Sequence, residues 1–149
     1  MVRTLLSACL LGIPCRYDGA SLKCPALIPS KNNLWIPVCP EQLGGLSTPR
    51  EPADIQGGDG NQVLDGETLV LTRSGLDVTA AYIRGAEATL TICRELSIQV
   101  AVLKARSPSC GCRRIYRGGD LVSGVGVTTA LLLRNGVSVQ NEEEFAGLD

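Results

Sequence analysis

The chain has 149 residues, of which 44% are hydrophobic and only 3% aromatic, with 14 basic and 15 acidic side chains. This length fits one domain whose core is built from aliphatic residues. The balanced charge provides no basic tract for a nucleic-acid backbone, and the few aromatic rings provide no platform for base stacking. The absence of histidine from the sequence excludes a Ser-His-Asp triad, a Cys-His pair and histidine-ligated zinc.

The seven cysteines indicate the cellular compartment in which the protein resides. An odd number of cysteines is not typical of a disulfide framework and favours metal-binding or reactive thiols in a reducing environment. The apolar run Val2–Leu11 lacks the small-residue cleavage site of a signal peptide. No apolar run approaches the roughly 20 residues that span a bilayer. We therefore expect a cytoplasmic protein that binds neither membranes nor nucleic acids.

The first half of the chain predicts two short buried strands joined by loops. Arg3–Ala8 is largely apolar and is followed by Gly12–Gly19, which is dense in turn residues. Leu34–Val38 is the second apolar run, and the proline at position 40 permits a helix to begin there. We also expect a helical turn near Cys24–Ile28, a loop or short helix over Pro40–Gly45 and a mobile, Gly- and Asp-rich loop over Ala53–Asn61.

The second half predicts one long helix among shorter elements. Val78–Leu96 carries apolar residues at helical spacing, with Asp77 or Thr79 as a plausible N-cap. That apolar stripe comprises Ile83, Ala86, Leu90 and Cys93. The remaining predictions are an antiparallel excursion or hairpin within Val63–Asp77, a strand at Val100–Lys104, a hairpin from Arg114–Tyr116 to Leu121–Val122, a helix at Val127–Arg134, a strand at Val137–Val139 and a final helix capped by Asn141.

These elements predict a single α/β domain over residues 1–149, with a mainly parallel sheet flanked by helices and small hairpin excursions. Three cysteines follow its three apolar strands: Cys9, Cys39 and Cys110. If the strands are parallel, their carboxyl ends meet at one edge, where open α/β sheets place ligand sites. Three thiolates there would hold a soft metal centre with one open position. The alternative is that all three are small buried hydrophobic residues.

The other cysteines carry weaker signals. No Cys-x2-Cys pair is present, which speaks against a zinc ribbon or bacterial ferredoxin spacing. Cys93 lies on the apolar stripe and is expected in the core, while Cys15 and Cys24 are expected to be spare thiols in loops. Cys112 lies too close to Cys110 for an ordinary strain-free disulfide.

Polar residues near the three cysteines have both a functional and a structural interpretation. Glu41, two residues after Cys39, is placed to exchange a proton at a metal site or to stabilise the start of a helix. The loop that contains Lys104, Ser107 and Ser109 provides donors for a polar or anionic ligand, although Ser-Pro also opens ordinary loops. Arg16, Asp18 and Arg50 bind a substrate if their loops fold over this edge, and are otherwise solvated or shape the backbone.

Several spaced motifs together resemble the thiouracil desulfidase family. They are Ser7–Gly12, Arg16–Gly19, Val38–Glu41 with Gly44–Leu46, Pro49-Arg50, Gly85-Ala86, and Leu103-Lys104 with Ser107–Gly111. The resemblance spans almost the whole chain. It implies a [4Fe-4S] cluster held by Cys9, Cys39 and Cys110, and non-redox conversion of 2-thiouracil to uracil and sulfide at the open iron. It also implies that Glu41 and either Ser107 or Ser109 supply acid–base chemistry and position the substrate, a thiolated pyrimidine.

Two other functions remain open at this point. A non-catalytic iron–sulfur or zinc-binding sensor needs neither a carboxylate at the metal nor an open pocket. A redox enzyme that uses Cys110 and Cys112 needs no metal. The oligomeric state is not predicted by the sequence.

Overall fold

A computed structural model describes residues 2–20, 23–25 and 32–147. Within these ranges the strands are β1 (Val2–Ser7), β2 (Asn33–Val38), β3 (Ala53–Ile55), β4 (Val70–Thr72), β5 (Val100–Leu103), β6 (Arg114–Arg117), β7 (Asp120–Ser123) and β8 (Ser138–Asn141). The α-helices are α1 (Pro40–Leu43), α2 (Gly60–Leu64), α3 (Thr79–Glu95), α4 (Val127–Arg134) and α5 (Glu142–Gly147). No helix in the described part of the chain is long and apolar enough to cross a membrane.

The main sheet has four strands in the order β2-β1-β5-β8, and every neighbouring pair is parallel. The chain first extends from β1 to β2 on one side and then crosses over to β5 and β8 on the other. The strand order therefore reverses between β1 and β5, and a crevice opens there beyond the carboxyl ends of the strands. This confirms the predicted α/β fold with a parallel sheet, and the predicted strands agree with the observed ones to within about two residues at each end.

Both faces of the main sheet are covered, which explains why its strands read as continuous apolar runs. Successive side chains of a strand point to opposite faces, so Leu5 and Leu6 enter different clusters. Leu5 packs with residues of α3 and α4, including Leu90 and Leu132. On the other face Leu6 packs with Trp35, whose ring meets that of Phe145 from α5 edge to face at 5.6 Å.

The structure confirms the long helix and the helical spacing of its apolar stripe. Ala86, Leu90 and Cys93 are buried, and Ile83 packs partly buried against a neighbouring cluster. The helix begins at Thr79, and the position before it is taken by Val78, which makes no side-chain cap. Asp77, one of the two predicted caps, instead accepts a hydrogen bond of 2.9 Å from the amide of Thr79.

We expect Cys93→Ala to lower the free energy of unfolding by about 1 kcal/mol, because it removes a small buried side chain from the core. Urea denaturation followed by circular dichroism measures this loss. The Cys93 side chain lies away from the cavity described below, so ligand binding there is expected to remain unchanged. An unchanged unfolding midpoint would show that the thiol contributes nothing to packing.

The segment between α1 and α3 differs most from prediction. The expected loop over Ala53–Asn61 is wrong: it contains β3 and the start of α2. Asp59 forms a capping box at α2, because its carboxylate accepts from the amide of Asn61 and its own amide donates to Gln62. Gly and Asp favour loops and helix caps alike, so composition alone could not separate the two.

The antiparallel excursion predicted within Val63–Asp77 is present, but its strand pairs mainly with a segment outside that range. The strand β4 pairs antiparallel with β3, which lies upstream of the predicted segment. Within the segment only an isolated antiparallel bridge joins Leu71 to Asp77. The helical turn predicted at Cys24–Ile28 lies largely outside the described residues.

The predictions for the C-terminal third agree with the structure. The strands β6 and β7 form an antiparallel hairpin around Gly118-Gly119, and α4 has the predicted bounds. Asn141 caps α5, because its side chain accepts a 2.8 Å hydrogen bond from the amide of Glu144 and its amide donates to the Glu144 carboxylate.

Two glycines bring α1 and α3 into backbone contact. A Cβ atom at Gly44 would overlap the carbonyl oxygen of Ala81, and one at Gly85 would overlap that of Pro40. No other residue fits at these two positions without moving a helix. The contact fixes the first turn of α1, which carries Glu41, against the first turn of α3, which carries Tyr82.

Candidate active site

A cavity of about 970 Å³ opens at the carboxyl edge of the main sheet. Its wall contains four cysteines, which are Cys9, Cys15, Cys39 and Cys110. It also contains charged and hydroxyl side chains from several loops, among them Glu41, Arg50, Lys104, Ser107 and Tyr82. The cavity lies where the strand order reverses, which is the usual ligand-binding position in an open parallel sheet.

The three cysteines predicted to meet do line this cavity together. Cys9 lies in a 3-10 helix, Ala8–Leu11, that replaces the last residue predicted for the first strand. Cys39 occupies the position before α1, directly after β2. Cys110 follows β5 after a loop, and its carbonyl oxygen accepts a 2.8 Å hydrogen bond from Thr129 on α4. Each thiol is thus held by an element next to a different strand end.

Cys15 is a cavity residue that sequence reasoning missed, since it was expected to be a spare thiol. It is only 3% exposed, and its carbonyl oxygen accepts a hydrogen bond from the Cys39 thiol at 3.7 Å. Its loop, Gly12–Gly19, contributes Cys15, Arg16 and Tyr17 to the cavity wall. One signal was present in the sequence, because Cys15 lies between the two motif segments Ser7–Gly12 and Arg16–Gly19.

Burial keeps the thiols of the free protein protonated. It raises the pKa of Cys9 to about 12, and the neighbouring Cys15 adds to the increase. Burial also raises the pKa of Cys39 to about 12, with Glu41 as the next cause. The fully enclosed Cys110 has a pKa well above the ordinary value for the same two reasons. A metal centre would replace these protons with positive charge and so stabilise the thiolates.

The donor set fits an iron–sulfur cluster. Sulfur ligands without nitrogen or oxygen favour iron–sulfur clusters, zinc or Cu(I). Across residues 2–20, 23–25 and 32–147, no three Cys, Asp or Glu side chains are grouped so as to hold a single metal ion. A cluster offers a separate iron atom to each cysteine, which suits thiols distributed around one wall.

Glu41 and Arg50 form an ion pair at the cavity wall. Arg50 Nη2 lies 3.4 Å from Glu41 Oε2, and their side chains are only 9% and 15% exposed. The same nitrogen donates to the Cys15 carbonyl oxygen at 3.1 Å, and the amide of Arg50 donates to the Tyr17 carbonyl oxygen at 2.7 Å. Arg50 therefore connects the carboxylate to the loop of Cys15.

The structure separates the two candidate serines. Ser107 lines the cavity, and its hydroxyl oxygen accepts hydrogen bonds from the amides of Ser109 and Cys110 at 3.1 and 3.0 Å. Ser109 is 1% exposed and bonds the hydroxyl of Thr128 on α4 at 3.0 Å. Ser107 is thus the hydroxyl at the wall, while Ser109 supports the loop from behind.

Of the other predicted binding residues, some line the cavity and one lies outside its wall. Arg16 and Lys104 line the cavity, although Lys104 Nζ also pairs with Glu142 at 3.1 Å. Asp18 lies outside the wall and accepts a hydrogen bond from the amide of Ala20, as in a solvated turn. Cys112 also lies outside the wall, where its thiol donates to Glu144 at 3.3 Å.

Known proteins resemble this chain over the residues that form this site. A family model described as 2-thiouracil desulfurase matches residues 4–144. The chain belongs to this family. Membership in the 2-thiouracil desulfurase family confirms the resemblance and the enzyme class that the motifs predicted.

Two relatives cover almost the full length of this 2-thiouracil desulfurase family protein. The chain is 47% identical over 147 residues to the uncharacterized protein YbbK of Bacillus subtilis (strain 168), an alignment that covers 95% of this chain and 96% of that protein. A solved structure, of the [4Fe-4S]-dependent thiouracil desulfidase TudS, is 43% identical with a TM-score of 0.80. That comparison covers 99% of this chain and 95% of TudS.

Proposed function

We propose that this protein converts 2-thiouracil and water to uracil and hydrogen sulfide, using a [4Fe-4S] cluster and no net redox change. The observation that carries the proposal is the convergence of Cys9, Cys39 and Cys110 on one cavity that also presents Glu41. The similarity to TudS, whose name states both the cluster and the reaction, supports it further.

The residues that would hold the cluster are Cys9, Cys39 and Cys110. When bound through three cysteines, the cluster supplies one iron with an open position that can act as a Lewis acid toward a sulfur atom. Cys15 lies beside this set and gives the wall a fourth thiol. We assign Cys15 to the wall of the cavity and not to the ligands, because it lies outside the motif segments that contain Cys9, Cys39 and Cys110.

Glu41 is the group placed to move protons. Its carboxylate takes a proton from a water molecule as the water oxygen attacks the ring carbon that bears sulfur. The carbon–sulfur bond then breaks, sulfur leaves as sulfide, and the proton held by Glu41 is returned to the products. Arg50 holds the carboxylate by one oxygen, Oε2, at the wall. Ser107 faces the cavity and positions the polar edge of the ring.

The geometry favours this function over the two alternatives. A sensor has no need of a carboxylate and a cavity of about 970 Å³ beside its metal. A redox pair of Cys110 and Cys112 requires the two thiols to meet, whereas Cys112 is directed to Glu144 outside the cavity wall.

Anaerobic purification and turnover test the proposal directly. The protein is analysed for iron and acid-labile sulfide and then incubated with 2-thiouracil, and uracil and released sulfide are quantified. We expect equal amounts of the two products from cluster-loaded protein and none from protein stripped of iron. Retention of the cluster without release of uracil from 2-thiouracil would support the sensor instead.

We expect free sulfide to inhibit competitively, because it occupies the position that the substrate sulfur needs. The KM for 2-thiouracil should rise with sulfide concentration while kcat stays constant. Reactions with and without an external electron donor should proceed at equal rates, since sulfur leaves in the oxidation state it had in the substrate. A requirement for reductant at every turnover, together with indifference to sulfide, contradicts the non-redox mechanism.

A further inference from the structure

Tyr82 contributes its side chain to the cavity wall. The residue is only 5% exposed, and no hydrogen bond of its hydroxyl group is found among the described residues. Its oxygen is not one of the fully enclosed polar atoms that lack a partner, since in the described part of the chain that set contains only Trp35 Nε1. The hydroxyl is therefore open to the cavity. Tyrosine hydroxyls at apolar walls usually find a partner, and a molecule in the cavity is the natural one.

The fold places Tyr82 on the same cavity wall as the proposed reacting groups. Glu41, Arg50 and Cys110 line the same cavity. The backbone contact of Gly44 and Gly85 fixes α3 against α1, and with it Tyr82 against Glu41. Burial, with Glu41 as the next cause, raises the pKa of Tyr82 well above its ordinary value. The hydroxyl is therefore a neutral donor at the pH of the reaction.

We infer that the Tyr82 hydroxyl donates a hydrogen bond to the ring carbonyl oxygen of the pyrimidine substrate. This inference rests on the proposed function. In 2-thiouracil the sulfur on C2 is directed to the metal and both ring nitrogens carry hydrogen, so the carbonyl oxygen on C4 is the acceptor that remains for a neutral donor. A site built to hydrogen-bond a substrate oxygen strongly rejects analogues that lack it. Tyr82 would thus select 4-oxo pyrimidines.

Tyr82→Phe removes only the oxygen atom and keeps the ring packed against its neighbours, which include Ala86 and Val127. Binding of uracil and of 2-hydroxypyrimidine, which lacks the second carbonyl, is measured by titration calorimetry on cluster-loaded protein. We expect the variant to bind uracil about tenfold more weakly, the effect of one net hydrogen bond, and 2-hydroxypyrimidine unchanged. The KM for 2-thiouracil should rise by a similar factor, with iron content and visible absorption unchanged.

Tyr116→Phe is the matched control, because Tyr116 also lines the cavity but is 45% exposed at its rim. Equal uracil binding by wild type and Tyr82→Phe would overturn the assignment, as would an equal loss for both ligands, which would show a purely structural effect. A wild-type protein that releases no uracil from 2-thiouracil overturns the proposed function instead. The two failures are therefore distinguishable.

Discussion

Cys9→Ser, Cys39→Ser and Cys110→Ser are each expected to abolish cluster binding. Thiolates supply all the protein bonds to an iron–sulfur cluster, and a serine hydroxyl is a much harder and less acidic ligand. Each variant, purified without oxygen, should lack the brown colour of the wild type and contain little iron or acid-labile sulfide. Circular dichroism verifies that the fold persists. A normal iron content in any one variant removes that residue from the ligand set.

Matched serine variants at the other cysteines provide the controls. Cys93 lies in the core and Cys24 in a loop, so both variants should retain iron. Cys15→Ser is the sharpest of these controls, because Cys15 shares the cavity wall with the three proposed ligands. We expect it to keep the cluster as well. Loss of iron from Cys15→Ser would mean that four thiols close the site and leave no iron open.

Glu41→Gln is expected to retain the cluster and lose about 10²–10⁴-fold in kcat. The amide has the same shape but cannot take up a proton, and general acid–base catalysis typically contributes this factor. Steady-state release of uracil measures the loss, and iron analysis verifies the cofactor. Arg50 keeps its hydrogen bonds to Cys15, Ser47 and Thr48, so the wall should hold its shape.

The control for Glu41→Gln is the same change at Glu51. Glu51 also lines the cavity, but its carboxylate accepts a 2.7 Å hydrogen bond from Ser74 and is exposed. Glu51→Gln should turn over at close to the wild-type rate. If Glu41→Gln also does so, Glu41 serves only to stabilise the start of α1, the structural alternative that its sequence position allows.

The sequence predicted those parts of the site that follow from the sheet. Cys9, Cys39 and Cys110 could be placed together because parallel strands share one carboxyl edge. Cys15 and Tyr82 could not be placed in this way. Cys15 reaches the cavity through the course of an irregular loop, and Tyr82 does so through the glycine contact between α1 and α3. Neither arrangement leaves a periodic pattern in the chain.

In the fold, too, the elements with a periodic apolar pattern were predicted and some of the shorter ones were not. The apolar runs and the stripe of α3 marked the main sheet and the long helix, because burial imposes a period on the sequence. The strand β3, and with it the pairing of β3 with β4, was missed because three-residue strands leave too little pattern to detect. The capping role of Asp59 could not be predicted either, because it depends on α2, a short helix that the sequence pattern does not reveal.

The pairing of β1 with β5 determines when, during synthesis, the chain can bind the proposed cluster. Cys9 and Cys110 are separated by roughly 100 residues and meet through the pairing of β1 with β5. Closing a chain segment of that length costs only about 2 kcal/mol more than closing the short segments of a zinc finger, because loop-closure entropy grows slowly with length. The larger difference is in synthesis, since the two cysteines leave the ribosome far apart in time. A nascent chain that ends before Cys110 presents only part of the proposed ligand set, so transfer of the complete cluster has to wait until synthesis has passed that residue.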